Sequence, residues 1–164
     1  MSLRKLRKLI KLLPHKDLRR GLRFGVAGEA DINISNSPDS SSLLPISDLQ
    51  TQHFPGTQRA ASTTLQVKRL DSCIAGAELG KNSLLKIDVQ GFELELLKGA
   101  TELLPHIQAV YVECSFIELY QGQALASAVI DFLHEHGFTL AGFYNPQYDP
   151  SGAAIQADLA FNRG

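Results

Sequence analysis

Only two cysteines, Cys73 and Cys114, occur in the 164 residues, and no close spacing links them. Neither a disulfide framework nor a cysteine-built zinc site is indicated, and a reducing, cytoplasmic compartment is the expected one. No stretch approaches the roughly 20 apolar residues of a membrane-crossing helix. The N-terminal leucines are interleaved with lysines and never form the continuous core of a secretory signal. Outside the first 27 residues no basic patch is interleaved with aromatics, so nucleic acid is not an expected partner. His134 and His136 bracket Glu135 but stand two apart on a helical stretch and point to different faces, so no metal site is expected. There is no internal repeat.

What is present suits one domain. The chain is 44% hydrophobic and 20% charged, ordinary for a globular protein, and long enough to hide roughly 70% of its unfolded surface. Charge is unevenly placed. Residues 1–28 hold nine of the sixteen Lys and Arg against a single acid, Asp17, which leaves seven bases against sixteen acids in 29–164. A basic arm on an acidic body is implied. Leu3, Leu6, Ile10 and Leu13 recur at helical spacing among Arg4, Lys5, Arg7, Lys8 and Lys11, which predicts an amphipathic helix over 3–13 ending before Pro14. Its apolar stripe suits packing on the domain, the ordinary role of such a face; the other reading is peripheral contact with an anionic membrane.

Beyond the arm, alternation predicts strands at 30–35 and 63–69, separated by a Ser-, Pro- and Gly-rich stretch, 36–62, expected to be an extended loop. A short helix is expected over about 71–79. The centre of the chain is SLLKIDVQGFELELLKGA, residues 83–100. Leu84, Leu85, Ile87 and Val89 suit a buried parallel strand. Gly91 allows a tight turn, and Phe92, Leu96 and Leu97 put an apolar stripe on the following helix, with Glu93, Glu95 and Lys98 facing water. Residues 109–114 read as the next buried strand, 123–136 as a helix, and 138–144 with 154–161 as an antiparallel hairpin whose second strand points Ile155, Ala157, Leu159 and Phe161 inward. The class is α/β, with 84–89 and 109–114 as parallel neighbours.

In such sheets ligands sit beyond the carboxyl ends of the strands. Asp88 lies at such an end, Glu113 and Ser115 at the next, and Tyr144 and Asn145 at the one after. Asp88 and Glu113 are therefore the candidate catalytic acids, either of them able to serve as general base where burial raises its proton affinity. Ser115, Tyr144 and Asn145 are the candidate substrate-binding residues. Asp88 could equally be a turn residue accepting a backbone N–H. Lys86 is either a partner for one of these acids or a stem that reaches the surface.

The string LKIDVQGFELELLKGA, residues 85–100, resembles the signature of the FkbM-type methyltransferases. The likeness continues through SSSLLP at 40–45, RLD at 69–71, VYVECSFIELYQGQ at 110–123 and AGFYNPQYDPSGAAIQAD at 141–158. The resemblance implies a Rossmann-like fold, S-adenosylmethionine as methyl donor, and a small-molecule acceptor such as a sugar or other metabolite methylated on a hydroxyl. Gln90 stands where many relatives carry Glu.

The family's Gly-rich turn before this unit is missing, since Gly21, Gly25 and Gly28 have the wrong spacing and follow a basic stretch. The chain thus reads as an arm, 1–27, joined to a truncated FkbM-type domain, 28–164, with a partial Rossmann-like sheet. The alternative function is a non-catalytic remnant that acts as a binding module or a homodimer. Loss of the first strand would bare one edge of 84–89, an edge expected to be covered by 30–35, by 63–69 or by another subunit.

Overall fold

The computed structural model describes residues 8–11, 22–23 and 28–164. Its elements are β1 (Lys8–Lys11), β2 (Leu22–Arg23), β3 (Gly28–Ser35), α1 (Asp48–His53), β4 (Arg59–Lys68), β5 (Ser83–Ile87), α2 (Glu93–Lys98), β6 (Ala109–Ser115), α3 (Ala126–Glu135), β7 (Phe138–Tyr148) and β8 (Ala154–Arg163).

Two sheets form. The larger has the order β1-β5-β6-β8-β7, with β1, β5 and β6 parallel, β8 antiparallel to β6, and β7 antiparallel to β8. It is a mixed α/β sheet of partial Rossmann-like form. Leu84 pairs with Ala109 and Ile87 with Val112, so the two central strands are the parallel neighbours their apolar runs predict. The C-terminal hairpin also forms as expected, Leu140 opposite Phe161 and Phe143 opposite Leu159. The smaller sheet, β2-β4-β3, is largely a ribbon of β3 against β4.

One face of the larger sheet carries the core. Leu85 and Ile87 of β5, Val110 and Val112 of β6 and Leu159 and Phe161 of β8 meet Leu96 and Leu97 of α2 and Val129 and Leu133 of α3. Alternation on the strands and three-to-four spacing on the helices bring these apolar groups together, and their burial is the main stabilising force. Arg163 closes the bottom. Its guanidinium lies 4.3 Å from the centre of the Phe138 ring and donates to the carbonyls of Leu104, Ile107 and His136. Among the described residues no helix is long and apolar enough to cross a membrane.

Four expectations are corrected. Lys8–Lys11, inside the stretch expected to be helical, is a strand, and the remainder of 3–13 lies outside the described residues. The cause is tertiary: β5 offers a row of free backbone groups, and pairing Leu9 with Leu84 and Ile10 with Leu85 satisfies them. It follows that β1, and not 30–35 or 63–69, covers that edge, because β3 and β4 pair with each other. The expected loop 36–62 holds α1 and the first part of β4. Ser47 caps α1 by accepting the Gln50 N–H, and its hydroxyl donates to the Leu119 carbonyl, which docks the segment on the domain. Finally, 71–79 forms turns and a single 3-10 turn at Gly76–Glu78 instead of a helix.

Candidate functional site

The chain leaves β5 at Ile87 and turns into α2 within five residues. Gln90 and Gly91 take positive φ, 53° and 94°. The turn throws the Gln90 side chain across the carboxyl ends of β5 and β6. There its amide nitrogen donates to Asp88 Oδ1 at 3.0 Å and to Glu113 Oε2 at 3.1 Å. The two sequence-predicted acids are thus brought together by one amide between them.

Each acid has a second partner. Lys86 Nζ lies 3.2 Å from Asp88 Oδ2, a pair about 30% exposed on both sides, which answers the open question about Lys86. Gln156 Nε2 donates to Glu113 Oε1 at 3.2 Å from the adjacent β8. Tyr120, only 2% exposed, closes the cluster from the loop after β6, its hydroxyl donating to Gln90 Oε1 at 2.7 Å with the Ser40 carbonyl 3.2 Å away as a second acceptor within reach. From the other side Ser42 Oγ donates to the Gln90 carbonyl at 2.6 Å.

The third side of the rim differs from expectation. Tyr144 and Asn145 are not at a strand end, because β7 continues to Tyr148; they stand at an irregularity in its pairing with β8, where Asn145 has φ 48°. Asn145 Nδ2 donates to Asp158 Oδ2 at 2.6 Å, and Tyr111 OH donates to the same oxygen at 2.9 Å. The Tyr144 and Tyr111 rings lie 6.1 Å apart. Asp158 is directly opposite Glu113 in the sheet, so the strand that converges with β5 and β6 is β8. Ser115 ends β6 opposite Gln156 and is buried.

Glu93 is the other departure. Expected on a water-facing side of α2, it is 3% exposed and its Oε1 accepts the Gly91 N–H at 3.0 Å. Burial pushes its carboxyl up to about 7, with the Asp88 charge adding to the effect and backbone donors opposing it. Glu113 is likewise pushed up to about 7, first by burial and then by the charges of Asp88, Glu93 and Asp158, against the opposing hydrogen bond from Gln90. Tyr111 is pushed up to about 12 by burial and by its bond to Asp158, and burial also raises Tyr120. Among the described residues no three His, Cys, Asp or Glu side chains are placed to share a metal ion.

This arrangement is a half-buried, acid-rich rim walled by tyrosines. It can orient a hydroxyl-bearing molecule and accept a proton from it. Gln90, Tyr120, Gln156 and Asp158 belong to it although sequence reasoning did not select them. For Gln156 and Asp158 a signal existed, since alternation in β8 puts them on the face opposite the core.

The family described as Methyltransferase FkbM domain matches residues 5–140. The 2-O-methyltransferase NoeI of Sinorhizobium fredii is 33% identical over 88 residues, 54% of this chain and 34% of its own. The hexuronic acid methyltransferase AglP of Haloferax volcanii is 30% identical over 96 residues, 56% of this chain and 35% of its own. The match spans about a third of the length of these relatives. Among solved structures, magnesium protoporphyrin IX methyltransferase (ChlM) from Synechocystis PCC 6803 with bound SAM aligns over 70% of this chain and 50% of its own, at 13% identity and a TM-score of 0.39.

Proposed function

The chain belongs to the FkbM methyltransferase family, and on that premise we propose that the rim formed by the carboxyl ends of β5 and β6 and the amino-terminal part of β8 is the acceptor side of an O-methylation site for a sugar or similar polyol. The observation that carries this reading is the pair Asp88 and Glu113 on neighbouring strand ends, joined through Gln90. Relatives that act on a 2-O position and on a hexuronic acid support the substrate class.

Glu113 is the base in this reading. An acid raised to about 7 is half ionised near neutrality, where a general base works best. Each of its oxygens accepts one amide hydrogen, from Gln90 and Gln156, and a carboxylate has lone pairs left over for a hydroxyl. The acceptor O–H proton passes to Glu113, and its oxygen becomes the nucleophile. Asp88, held by Lys86, orients a neighbouring hydroxyl, and Tyr144, Asn145 and Ser115 line the approach.

The donor that the family resemblance implies is S-adenosylmethionine, and the described residues do not fit it. A Rossmann-type nucleoside site takes a Gly-rich turn after its strand and an acid about twenty positions on for the ribose hydroxyls. The edge partner of β5 is β1, and of the residues between it and β2, LLPHKDLRRG, only the last, Gly21, is a glycine, so no Gly-rich run follows that strand. The acids at about the right distance, Glu29 and Asp31, are exposed on β3, where Gln66 and Thr64 of β4 donate to them. Calorimetric titration of this chain with S-adenosylmethionine is expected to give no binding heat. A one-to-one isotherm would contradict the mismatch.

The acceptor reading has its own test. The chain has no tryptophan, and three of its four tyrosines, Tyr111, Tyr120 and Tyr144, stand on this rim. Titration with methyl hexosides and free hexuronates is expected to change tyrosine fluorescence saturably, and Glu113→Ala to abolish the change. A flat response to every sugar would remove the proposal.

A further inference from the structure

The polar group that touches the most parts of this rim is an uncharged amide. Gln90 joins four segments: the end of β5 through Asp88, β6 through Glu113, the loop after β6 through Tyr120, and the 40–45 segment through Ser42. It does so from a positive φ, 53°, which a side-chain-bearing residue adopts only where its surroundings hold it there.

Its orientation is fixed by chemistry. The amide nitrogen has two hydrogens, and two carboxylate oxygens stand at 3.0 and 3.1 Å to receive them. A flipped amide would present its oxygen to both carboxylates and its nitrogen to the Tyr120 hydroxyl. The carboxylates only accept, so the acid pair selects the observed orientation, and the Tyr120 hydroxyl then donates to Oε1 at 2.7 Å.

We propose that Gln90 is the positioning residue of the acid pair, fixing where Asp88 and Glu113 stand relative to one another. The role rests on the reading of Glu113 as the base.

The groups around Glu113 make the consequence specific. Asp88, itself paired with Lys86, acts on it from the end of β5, Glu93 from α2, Asp158 and Gln156 from β8, and Tyr120 from the following loop. Three of these are acids and raise its affinity for a proton; Gln90 opposes them by donating to the ionised form. Without the amide the carboxylate would lose one of its two donors and remain among like charges. Glu113 would then hold its proton through neutral pH and could not accept another from a hydroxyl.

The test is a carbon-detected NMR titration of the Glu113 carboxyl, which requires neither donor nor acceptor and so is decided independently of sugar binding. The native protein is expected to titrate near 7. Gln90→Leu should raise the proton affinity of Glu113 about tenfold. Gln90→Glu, which adds a third like charge, should raise it further and give a two-step titration. Tyr120→Phe nearly keeps the volume and leaves the Gln90 oxygen and the Ser40 carbonyl without the hydroxyl, so it should shift the midpoint in the same direction by less, even where the Gln90 variants fold poorly. A Glu113 midpoint unmoved in folded Tyr120→Phe and Gln90→Leu, with only thermal stability lowered, would reduce Gln90 to a structural residue and overturn the proposal.

Discussion

Between pH 4.5 and pH 7 the protein is expected to lose stability as the pH rises, the reverse of the usual behaviour of a carboxylate-rich surface. Glu93 and Glu113 both hold their protons more tightly folded than unfolded, about 7 against 4.5. In this window the native state therefore binds more protons than the unfolded chain, and unfolding becomes easier as they leave. The contribution is fully present below pH 4.5 and gone above pH 7. For a group as buried as Glu93 it amounts to about 3 kcal/mol. Glu113, partly open to solvent, contributes less, and the two are not additive because each charge raises the other. Asp149 has the opposite sign: the donors from Ser151 and Ala153 hold its carboxyl below 3.8, so whatever it contributes is lost only as the pH falls below this window.

Glu93→Gln isolates the larger part. A glutamine keeps an acceptor for the Gly91 N–H but cannot ionise, so urea unfolding at pH 5 and pH 8 should show a much smaller fall in the variant, the part left to Glu113, than in the native protein. Native stability that rises from pH 5 to pH 8 would show that the buried acids are charged at little cost.

Gly91→Ala is expected to cost about 3 kcal/mol, because backbone strain and a close contact act together there. The φ of 94° is one that side-chain-bearing residues rarely adopt, and a Cβ there would lie 3.0 Å from Cβ and Cδ2 of Tyr120. Tyr120 is buried and anchors Gln90, so the ring can yield only by loosening the amide between Asp88 and Glu113. Gly122 is the control. Its φ is 77°, but nothing lies within 4 Å of the added carbon, so Gly122→Ala carries the backbone strain alone, about 1 kcal/mol. Equal losses in the two variants would show that the contact with Tyr120 does not matter.

The central unit was legible in the sequence because its signals are local. An apolar run, a glycine and a helical stripe define β5, the turn and α2 without reference to anything distant, and clean alternation defines β8. The edge of the sheet was not. Ile10 belongs to the helical stripe of Leu3, Leu6 and Leu13 and equally to a strand, and only the free edge of β5 decides between them. α1 is six residues long, too short for periodicity to emerge from a Ser- and Pro-rich stretch, and it is held by a capping serine bonded to a loop seventy residues away.

The site divides in the same way. Asp88 and Glu113 could be placed on one rim because strand ends can be counted, whereas Gln90 and Tyr120 join it through contacts that no spacing encodes. Glu93 was assigned to water because charge usually marks a helix's exposed side. Its burial follows from the close turn at Gly91, whose N–H its carboxyl accepts.

The most direct check is to repeat the hexoside titration with amide NMR. Perturbed resonances confined to residues 88–91, 113–116, 144–145 and 156–158 are the predicted outcome, since those segments meet at the acid rim. Perturbations confined to the β3–β4 ribbon, with the rim unmoved at saturating sugar, would contradict it.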